Sequence, residues 1–253
     1  MNQTMSNYNP YSLEGMTILI TGASAGIGRA TAIECSKLGA KVVLVARNEE
    51  RLKGVMNELE GDDHQYISCD LTSIESVFEM VDNLPVLDGV VLNAGVSILA
   101  PILFFKEETV KDTFSLNTIS PMMTFQRLAK KRKLQKDSSV VFTSSIAGLG
   151  SAAVGEAAYM ASKGAISAFI KGAALELSKK GVRVNAVCPG MVQTEMTDAY
   201  GLDENNNPDL ANYPLGRYGQ PIDIAHAIIY LLSKASSWVT GSNLIIDGGL
   251  TIK

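Results

Sequence analysis

The stretch Thr17–Ala32, TILITGASAGIGRATA, limits what this chain can fold into more than any other. Ile18, Leu19 and Ile20 form a short apolar run that reads as a buried strand. The chain then turns through Gly22, Gly26 and Gly28 and continues at helical spacing with Ala32 and Ile33. A strand, a glycine-rich turn and a helix start together make an anion site. The first backbone N–H groups of a helix lack internal partners, and the helix dipole adds partial positive charge there. Glycine removes the Cβ that would hold a bulky pyrophosphate away from the backbone. One glycine would suit an ordinary strand-to-helix turn; three between a clean strand and a clean helix point to a nucleotide. The spacing is Gly-x-x-x-Gly-x-Gly, which differs from the Gly-x-Gly-x-x-Gly of the usual dinucleotide fingerprint.

The rest of the chain repeats the alternation of strand and helix. Strands are expected near Met16–Thr21, Lys41–Ala46, Gln65–Cys69, Gly89–Leu92, Ser139–Thr143, Val182–Val187 and Leu244–Ile246, about seven in all. Helices are expected between them, including one long helical region, Glu107–Lys133, broken near Pro121, and others at Ala157–Lys180 and Ile222–Leu232. Such an order implies a parallel sheet with helices on both faces, and right-handed crossovers make it doubly wound. The expected organisation is a flexible leader, 1–14, and a single α/β domain of Rossmann type, 15–253. Met191–Leu215 lacks periodicity and is rich in Asn, Asp and Pro; a stretch of that length inside a compact domain is usually functional or mobile.

Totals exclude several functions. With 253 residues and 46% hydrophobic content the chain can bury a sizeable core, and a net charge of −4 argues against nucleic acid as a partner. Cys35, Cys69 and Cys188 are odd in number and far apart, and His64 and His226 are isolated. Neither a disulfide framework, a metal site nor a Ser-His-Asp triad is supported, and a reducing, cytoplasmic setting is expected. Met1–Pro10 has no signal-peptide core, and no run approaches the ~18 apolar residues that would suggest a membrane span.

Ligands of such sheets bind at the carboxyl ends of the strands, and the notable polar residues lie there. Strand two ends in Ala46-Arg47-Asn48. An acid about here bonds the ribose hydroxyls of NAD; Ala46 and Arg47 supply no anion and a guanidinium instead, which suits the 2′-phosphate of NADP. Ser24 and Asn48 can add neutral hydrogen bonds. Asp70 follows strand three, either near the adenine or as a helix cap ahead of Ser73.

On the chemical side, Tyr159 and Lys163 stand four apart on a predicted helix, one turn apart on one face. A phenol with a pKa of ~10 exchanges protons poorly near neutrality, and a nearby ammonium lowers that value. Reducing a ketone requires an acid beside the oxygen, and the reverse reaction a base. Ser144 and Ser145 follow strand five, where a hydroxyl can hydrogen-bond a substrate oxygen or cap a turn. Asn117, mid-helix and a poor helix former, is placed either to hold a water linking Lys163 to solvent or simply to face solvent.

From about Leu13 to Ile252 the chain resembles the short-chain dehydrogenase/reductase family, 3-oxoacyl-carrier-protein reductases included. Thr21–Gly28, Asn93-Ala94-Gly95, Asn117, Ser145, Tyr159, Lys163 and Pro189-Gly190 occur in the family's order. The resemblance implies Tyr159 as general acid/base and Lys163 as the group that lowers its pKa and binds the nicotinamide ribose. It implies Ser145 orienting the carbonyl and Asn117 organising a proton-relay water. It implies a cofactor site of Gly22, Ser24, Gly26, Ile27, Gly28, Arg47, Asn48, Asp70, Leu71, Asn93, Ala94, Gly95, Tyr159, Lys163, Pro189, Gly190, Val192 and Thr194. In it Asn93 mainly stabilises the sheet, and 191–215 is a substrate lid. Ser145 and Tyr159 stand one position further apart than in close relatives, which places an extra residue in the loop Gly148–Glu156 beside the substrate.

The expected function is therefore NADP(H)-dependent hydride transfer between nicotinamide and a ketone or secondary alcohol, NADP(H) being favoured over NAD(H). The alternative is a non-catalytic NADP(H)-binding sensor or scaffold. Ser97, Ile98, Leu149, Val154, Met191 and Val192 give a mainly apolar pocket, so a small neutral or apolar substrate is expected. Lys136 and Lys180 leave a carrier-bound acyl substrate open. Apolar residues in Ile222–Leu232 and Trp238–Ile252, with the resemblance, point to a homotetramer.

Overall fold

The computed structural model describes residues 8–198 and 208–253. Seven parallel strands form one sheet: β1 (Thr17–Thr21), β2 (Lys41–Ala46), β3 (Gln65–Ser68), β4 (Leu87–Leu92), β5 (Leu134–Thr143), β6 (Arg183–Pro189) and β7 (Asn243–Ile246). Their spatial order is β3-β2-β1-β4-β5-β6-β7. The order reverses between β1 and β4, and the Thr17–Ala32 turn opens at that switch point, where such sheets bind ligands.

The central strands are buried on both faces, with successive residues in opposite layers, while the edge strands β3 and β7 are partly exposed. Ile18, Ile20, Val42, Leu44, Val91 and Val141 pack in one layer with α1 (Gly26–Lys37), α2 (Glu49–Met56) and α8 (Pro221–Leu232). Leu19, Val43, Val90, Leu92, Val140 and Phe142 pack in the other with α3 (Ile74–Asn83), α5 (Ser120–Lys130) and α6 (Ala157–Leu177). Phe125, Phe142 and Phe169 meet edge to face in that second layer.

Three differences from the sequence reading have clear causes. Residues 1–7 of the expected leader lie outside the described residues, but residues 8–14 belong to the fold. Leu13 is fully buried, its N–H donates to the Leu38 carbonyl, and the Ala235 N–H donates to the Pro10 carbonyl. The helical region 107–133 divides into α4 (Glu107–Phe114), a π-helical turn over Ser115–Ile119 and α5. Pro121 sits in the first turn of α5, where its missing N–H has no intrahelical acceptor to lose, so it starts a helix rather than breaking one. β5 begins five residues before the expected Ser139 because Leu134 pairs with Leu87 across an irregularity in the register. In the 191–215 segment, Val192 bridges to Gly219 and α7 covers Glu195–Asp198; residues 199–207 of the expected lid lie outside the described residues.

Candidate active site

A cleft of about 1210 Å³ runs across the carboxyl ends of the strands. At one end it is walled by Gly22, Ser24, Gly26 and Ile27, and at the other by Ser145, Tyr159 and Lys163.

At the first end the glycines are required by contact. Gly22 has φ +66°, and a Cβ there would lie 2.9 Å from the Ala94 Cα. Gly28 is buried behind the wall, where a Cβ would lie 2.8 Å from Asn93 Nδ2 and run into the Gly22 carbonyl. The turn thus closes backbone on backbone. Ala25, the residue before α1, places no side-chain cap on the helix, and the first turn carries no acid. The leading amides of α1 and the positive end of its dipole are left to an outside anion. Asn93 closes the same end: its Nδ2 donates to the Thr21 carbonyl and its Oδ1 accepts from Thr143 Oγ1, joining β1, β4 and β5. A dinucleotide pyrophosphate fits this cradle.

The wall continues past Ala46, Arg47, Asn48 and Leu71 on one side and Ala94, Gly95, Pro189, Gly190, Val192 and Thr194 on the other. Asn48 first serves the fold, since its Oδ1 accepts from Arg51 N–H as the cap of α2. Asp70 does not line the cleft, although Cys69 and Leu71 do. It is exposed, and its Oδ1 accepts from the Thr72 N–H and hydroxyl. Those bonds, with the Arg47 charge, hold its carboxyl below the ordinary value. Nor does it cap α3, which is capped by Ser73.

At the second end, the turn of α6 that carries Tyr159 and Lys163 is pinned from three sides. The Ser144 hydroxyl donates to the Lys163 carbonyl and meets Ser167 Oγ at 2.8 Å, so it points into α6 and away from a substrate. Ser145 remains at the cleft, capping the short turn Ile146–Leu149 through the Ala147 N–H. That turn packs tightly on α6, because a Cβ on Gly148 would fall 2.6 Å from the Lys163 carbonyl carbon. From the third side, Thr118 Oγ1 donates to the Ser162 carbonyl.

Of the two placements expected for Asn117, the solvent-facing one is not what the structure has. The side chain is buried and outside the cleft wall. Its Oδ1 accepts from Val96 N–H at 2.8 Å, and its Nδ2 donates to the Val96 carbonyl and to Ser162 Oγ. The amide is spent as a brace between the loop after β4 and α6. The π-helical turn presents it there.

Lys163 is 4% exposed. Its Nζ donates to the Thr143 carbonyl at 2.8 Å and stands 5.8 Å from the Tyr159 ring centre. Burial lowers its pKa to about 8, against a smaller opposing effect of Cys188. The Cys188 thiol is itself pushed up to about 11 by burial. A buried cation beside a phenol, with a hydroxyl across the cleft, can exchange a proton with a bound oxygen near neutral pH.

Two cleft residues, Arg51 and Glu156, and one buried residue behind the wall, Ser162, escaped the sequence reading. Arg51 lines the cleft as Arg47 does and pairs with Glu195 of α7 at 2.7 Å; its only sequence signal is a second arginine shortly after Arg47, at the start of the helix that follows β2. Ser162 links Asn117 to the Tyr159 carbonyl and had no signal beyond its place beside Lys163. Glu156, one turn before Tyr159, lines the cleft, and burial raises its carboxyl above the ordinary value.

Residues 22–251 match the family model described as enoyl-(acyl carrier protein) reductase. The 3-oxoacyl-[acyl-carrier-protein] reductase of Rickettsia bellii is 36% identical over 238 residues, 94% of this chain and 98% of the relative. The human protein of the same description is 34% identical over 237 residues, 92% of this chain and 97% of that one. A short-chain type dehydrogenase/reductase from Mycobacterium marinum superposes with a TM-score of 0.88 at 31% identity, over 96% of this chain and 98% of its own. A structure from Agrobacterium tumefaciens with bound NADP superposes with a TM-score of 0.87 at 30% identity, over 97% of this chain and 100% of its own. The chain belongs to the short-chain dehydrogenase/reductase family, in its 3-oxoacyl-carrier-protein-reductase-like group, and is an oxidoreductase acting on carbonyl or hydroxyl groups.

Proposed function

We propose that the protein reduces a small neutral ketone, or oxidises the matching secondary alcohol, with NADP(H) preferred over NAD(H). The observation that carries this reading is one cleft joining a glycine cradle to Tyr159, Lys163 and Ser145, with Arg47 and no acid at the end of β2. The bound nicotinamide supplies or accepts the hydride. Tyr159 gives its phenolic proton to the carbonyl oxygen in reduction and recovers it from solvent. Lys163, fixed by the Thr143 carbonyl, favours the phenolate and reaches the cofactor ribose. Ser145 donates to the same substrate oxygen and stabilises its developing charge. Asn117 and Ser162 hold the Tyr159–Lys163 turn in register with Val96. Arg47 receives the 2′-phosphate, and Leu99, Leu149, Val154 and Met196 give an apolar wall for the substrate. A non-catalytic sensor or scaffold finds no support among the relatives, which are described as reductases.

The working unit on this reading is a cytoplasmic homotetramer. Trp238 is fully exposed, and Ile245 and Ile252 also face outward, which is costly surface for an isolated subunit. Light scattering at assay concentration is expected to give four chains; a stable monomer would overturn the assembly alone.

The test of the chemistry is NADPH oxidation against simple ketones, sugars, steroids and 3-oxoacyl thioesters, on wild type and Tyr159→Phe. General acid–base help is worth about 10²–10⁴-fold, so kcat of the variant is expected to fall by that much while NADPH still binds. A variant retaining more than about a tenth of wild-type kcat, with chemistry rate-limiting in both, removes Tyr159 from the role.

A further inference from the structure

Beyond Ser145 and Tyr159, the loop that walls the substrate end of the cleft is mostly apolar, and Glu156 is its one charged residue. The loop before it contributes Leu149, Ala152, Ala153 and Val154 to the wall, and only Ser151 and Glu156 add polar side-chain atoms. Glu156 immediately precedes α6, where a helix dipole favours a carboxylate. Its oxygens are nevertheless not spent on the helix, because it makes no side-chain cap bond. Among the described residues it has no ion pair and no side-chain hydrogen bond, and the Ser151 hydroxyl also has no partner. A half-buried carboxylate on the cleft wall with no protein partner keeps its oxygens open to a donor that enters the cleft in place of water. The spacing from Tyr159 is three residues, which puts the two Cβ atoms roughly 5–6 Å apart on neighbouring faces. A donor on the substrate would therefore stand only a few bonds from the carbonyl that Tyr159 serves.

We infer that Glu156 reads the substrate: its carboxylate accepts a hydrogen bond from a hydroxyl near the reacting carbonyl, so the preferred substrate is a neutral hydroxy ketone. This rests on the ketone-reductase reading above. A carboxylate-bearing ketone is repelled by Glu156. A plain ketone gives the half-buried Glu156 no donor. An ammonium would meet an apolar wall with a single acidic partner, a costlier burial than that of a hydroxyl.

The test compares two ketones of equal size, 4-hydroxy-2-butanone and 2-pentanone, with NADPH and the full-length protein. Wild type is expected to favour the hydroxy ketone by about tenfold or more in kcat/KM, since a hydrogen bond to a charged group is worth that much. Glu156→Ala should bring the ratio to near one by lowering only the hydroxy-ketone value, and Glu156→Gln should fall between. Activity on 4-oxopentanoate should rise in Glu156→Gln. A ratio near one in wild type, or equal losses on both ketones in the variants, overturns the inference; equal losses would mean Glu156 only supports the Tyr159 turn. A wild-type preference for 4-amino-2-butanone over the hydroxy compound overturns the choice of a hydroxyl. If no ketone is reduced, the reductase reading fails, and the inference is still decided by affinity. Ligand-observed NMR of the same pair with NADP⁺ present should show the hydroxy ketone binding more tightly to wild type and not to Glu156→Ala. Equal affinity overturns it.

Discussion

At the glycine-turn end of the cleft, backbone touches backbone: Gly28 against the Gly22 carbonyl, and Gly22 against Ala94. At the substrate end, the wall is made of side chains on loops, with Leu149 and Val154 exposed and Glu156 half-buried without a partner among the described residues. The first end is defined by atoms that must be missing, and few residue types satisfy it. The second is defined by whichever side chains happen to line it, and many sets would keep the same fold. The cofactor end should therefore fail abruptly when altered, and the substrate end should change selectivity without failing.

The largest expected effect tests that abruptness. Gly28→Ala puts a methyl into the Gly22 carbonyl, and neither backbone can yield without opening the β1–α1 turn. Overpacking costs typically 1–3 kcal/mol and sometimes more, and rigid contact puts this site at or above the top of that range. NADPH affinity should fall by about 100-fold or more, with a lower Tm, as titration calorimetry and thermal unfolding would read. Val154→Ala, at a 91% exposed position on the opposite wall, should leave both unchanged. Equal effects at the two sites would erase the distinction.

The second effect belongs to the buried amine between the two ends. Lys163 has its pKa lowered from 10.5 to about 8 by burial. Between those values the unfolded chain binds more protons here than the folded one, so stability rises with pH across about 8 to 10.5. Below pH 8 both states are protonated and the folded protein carries the full cost of a buried ammonium, on the order of 3 kcal/mol. Lys163→Met should therefore be favoured over wild type most strongly at pH 7, and that advantage should shrink by pH 10. Urea unfolding of the cofactor-free proteins at the two pH values checks this. A difference that does not move with pH would mean that the amine is solvated in the free protein.

The same contrast explains what was legible in the sequence. The strands were legible because residues such as Ile18-Leu19-Ile20 and Val42–Val45 are apolar at every position, the mark of burial on both faces. The glycine turn and the Tyr159–Lys163 spacing were legible because local geometry fixes them. Asn117 was not, because its role depends on a π-helical turn and on Val96, 21 positions away. Asp70 could be placed after β3, but its bonds to the Thr72 N–H and hydroxyl carry no signal in the sequence. Ser144 and Ser145 were adjacent alternatives, separated only by which hydroxyl meets α6. Glu156 carries no pattern of its own; only the cleft gives it meaning.

Arg47 gives the third effect. It lines the cleft beyond Ala46, where the end of β2 offers a 2′-phosphate a cation and no acid of its own. A charge-assisted hydrogen bond contributes about 1.5–3 kcal/mol, so Arg47→Ala should weaken NADPH by roughly 10–150-fold and leave NADH nearly unchanged. Adding Ala46→Asp should invert the preference, because it supplies repulsion to the phosphate and an acceptor for free ribose hydroxyls. An NADPH/NADH ratio of kcat/KM that does not move would make Arg47 a solvated loop residue.

The smallest effect lies where the two ends are joined across the cleft. Arg51 of α2 and Glu195 of α7 pair at 2.7 Å, with side chains 53% and 65% exposed. Pairs so exposed are worth about 0–1 kcal/mol and are screened by salt. Arg51, on the first turn of α2, lines the same cleft as Arg47, so a 2′-phosphate bound there would compete with Glu195 for its guanidinium. Glu195→Gln removes the competitor. NADPH affinity should then rise, by no more than about fivefold at low ionic strength, and the gain should vanish at high salt. NADH affinity should stay constant, since NADH brings no phosphate to that position. Isothermal titration of both cofactors at two salt concentrations measures all four quantities. A gain for NADH equal to that for NADPH would show that Glu195 acts by holding α7 against the cleft rather than by occupying Arg51. The substrate-side segment would then govern access to both cofactors, and the two ends of the cleft would not be independent.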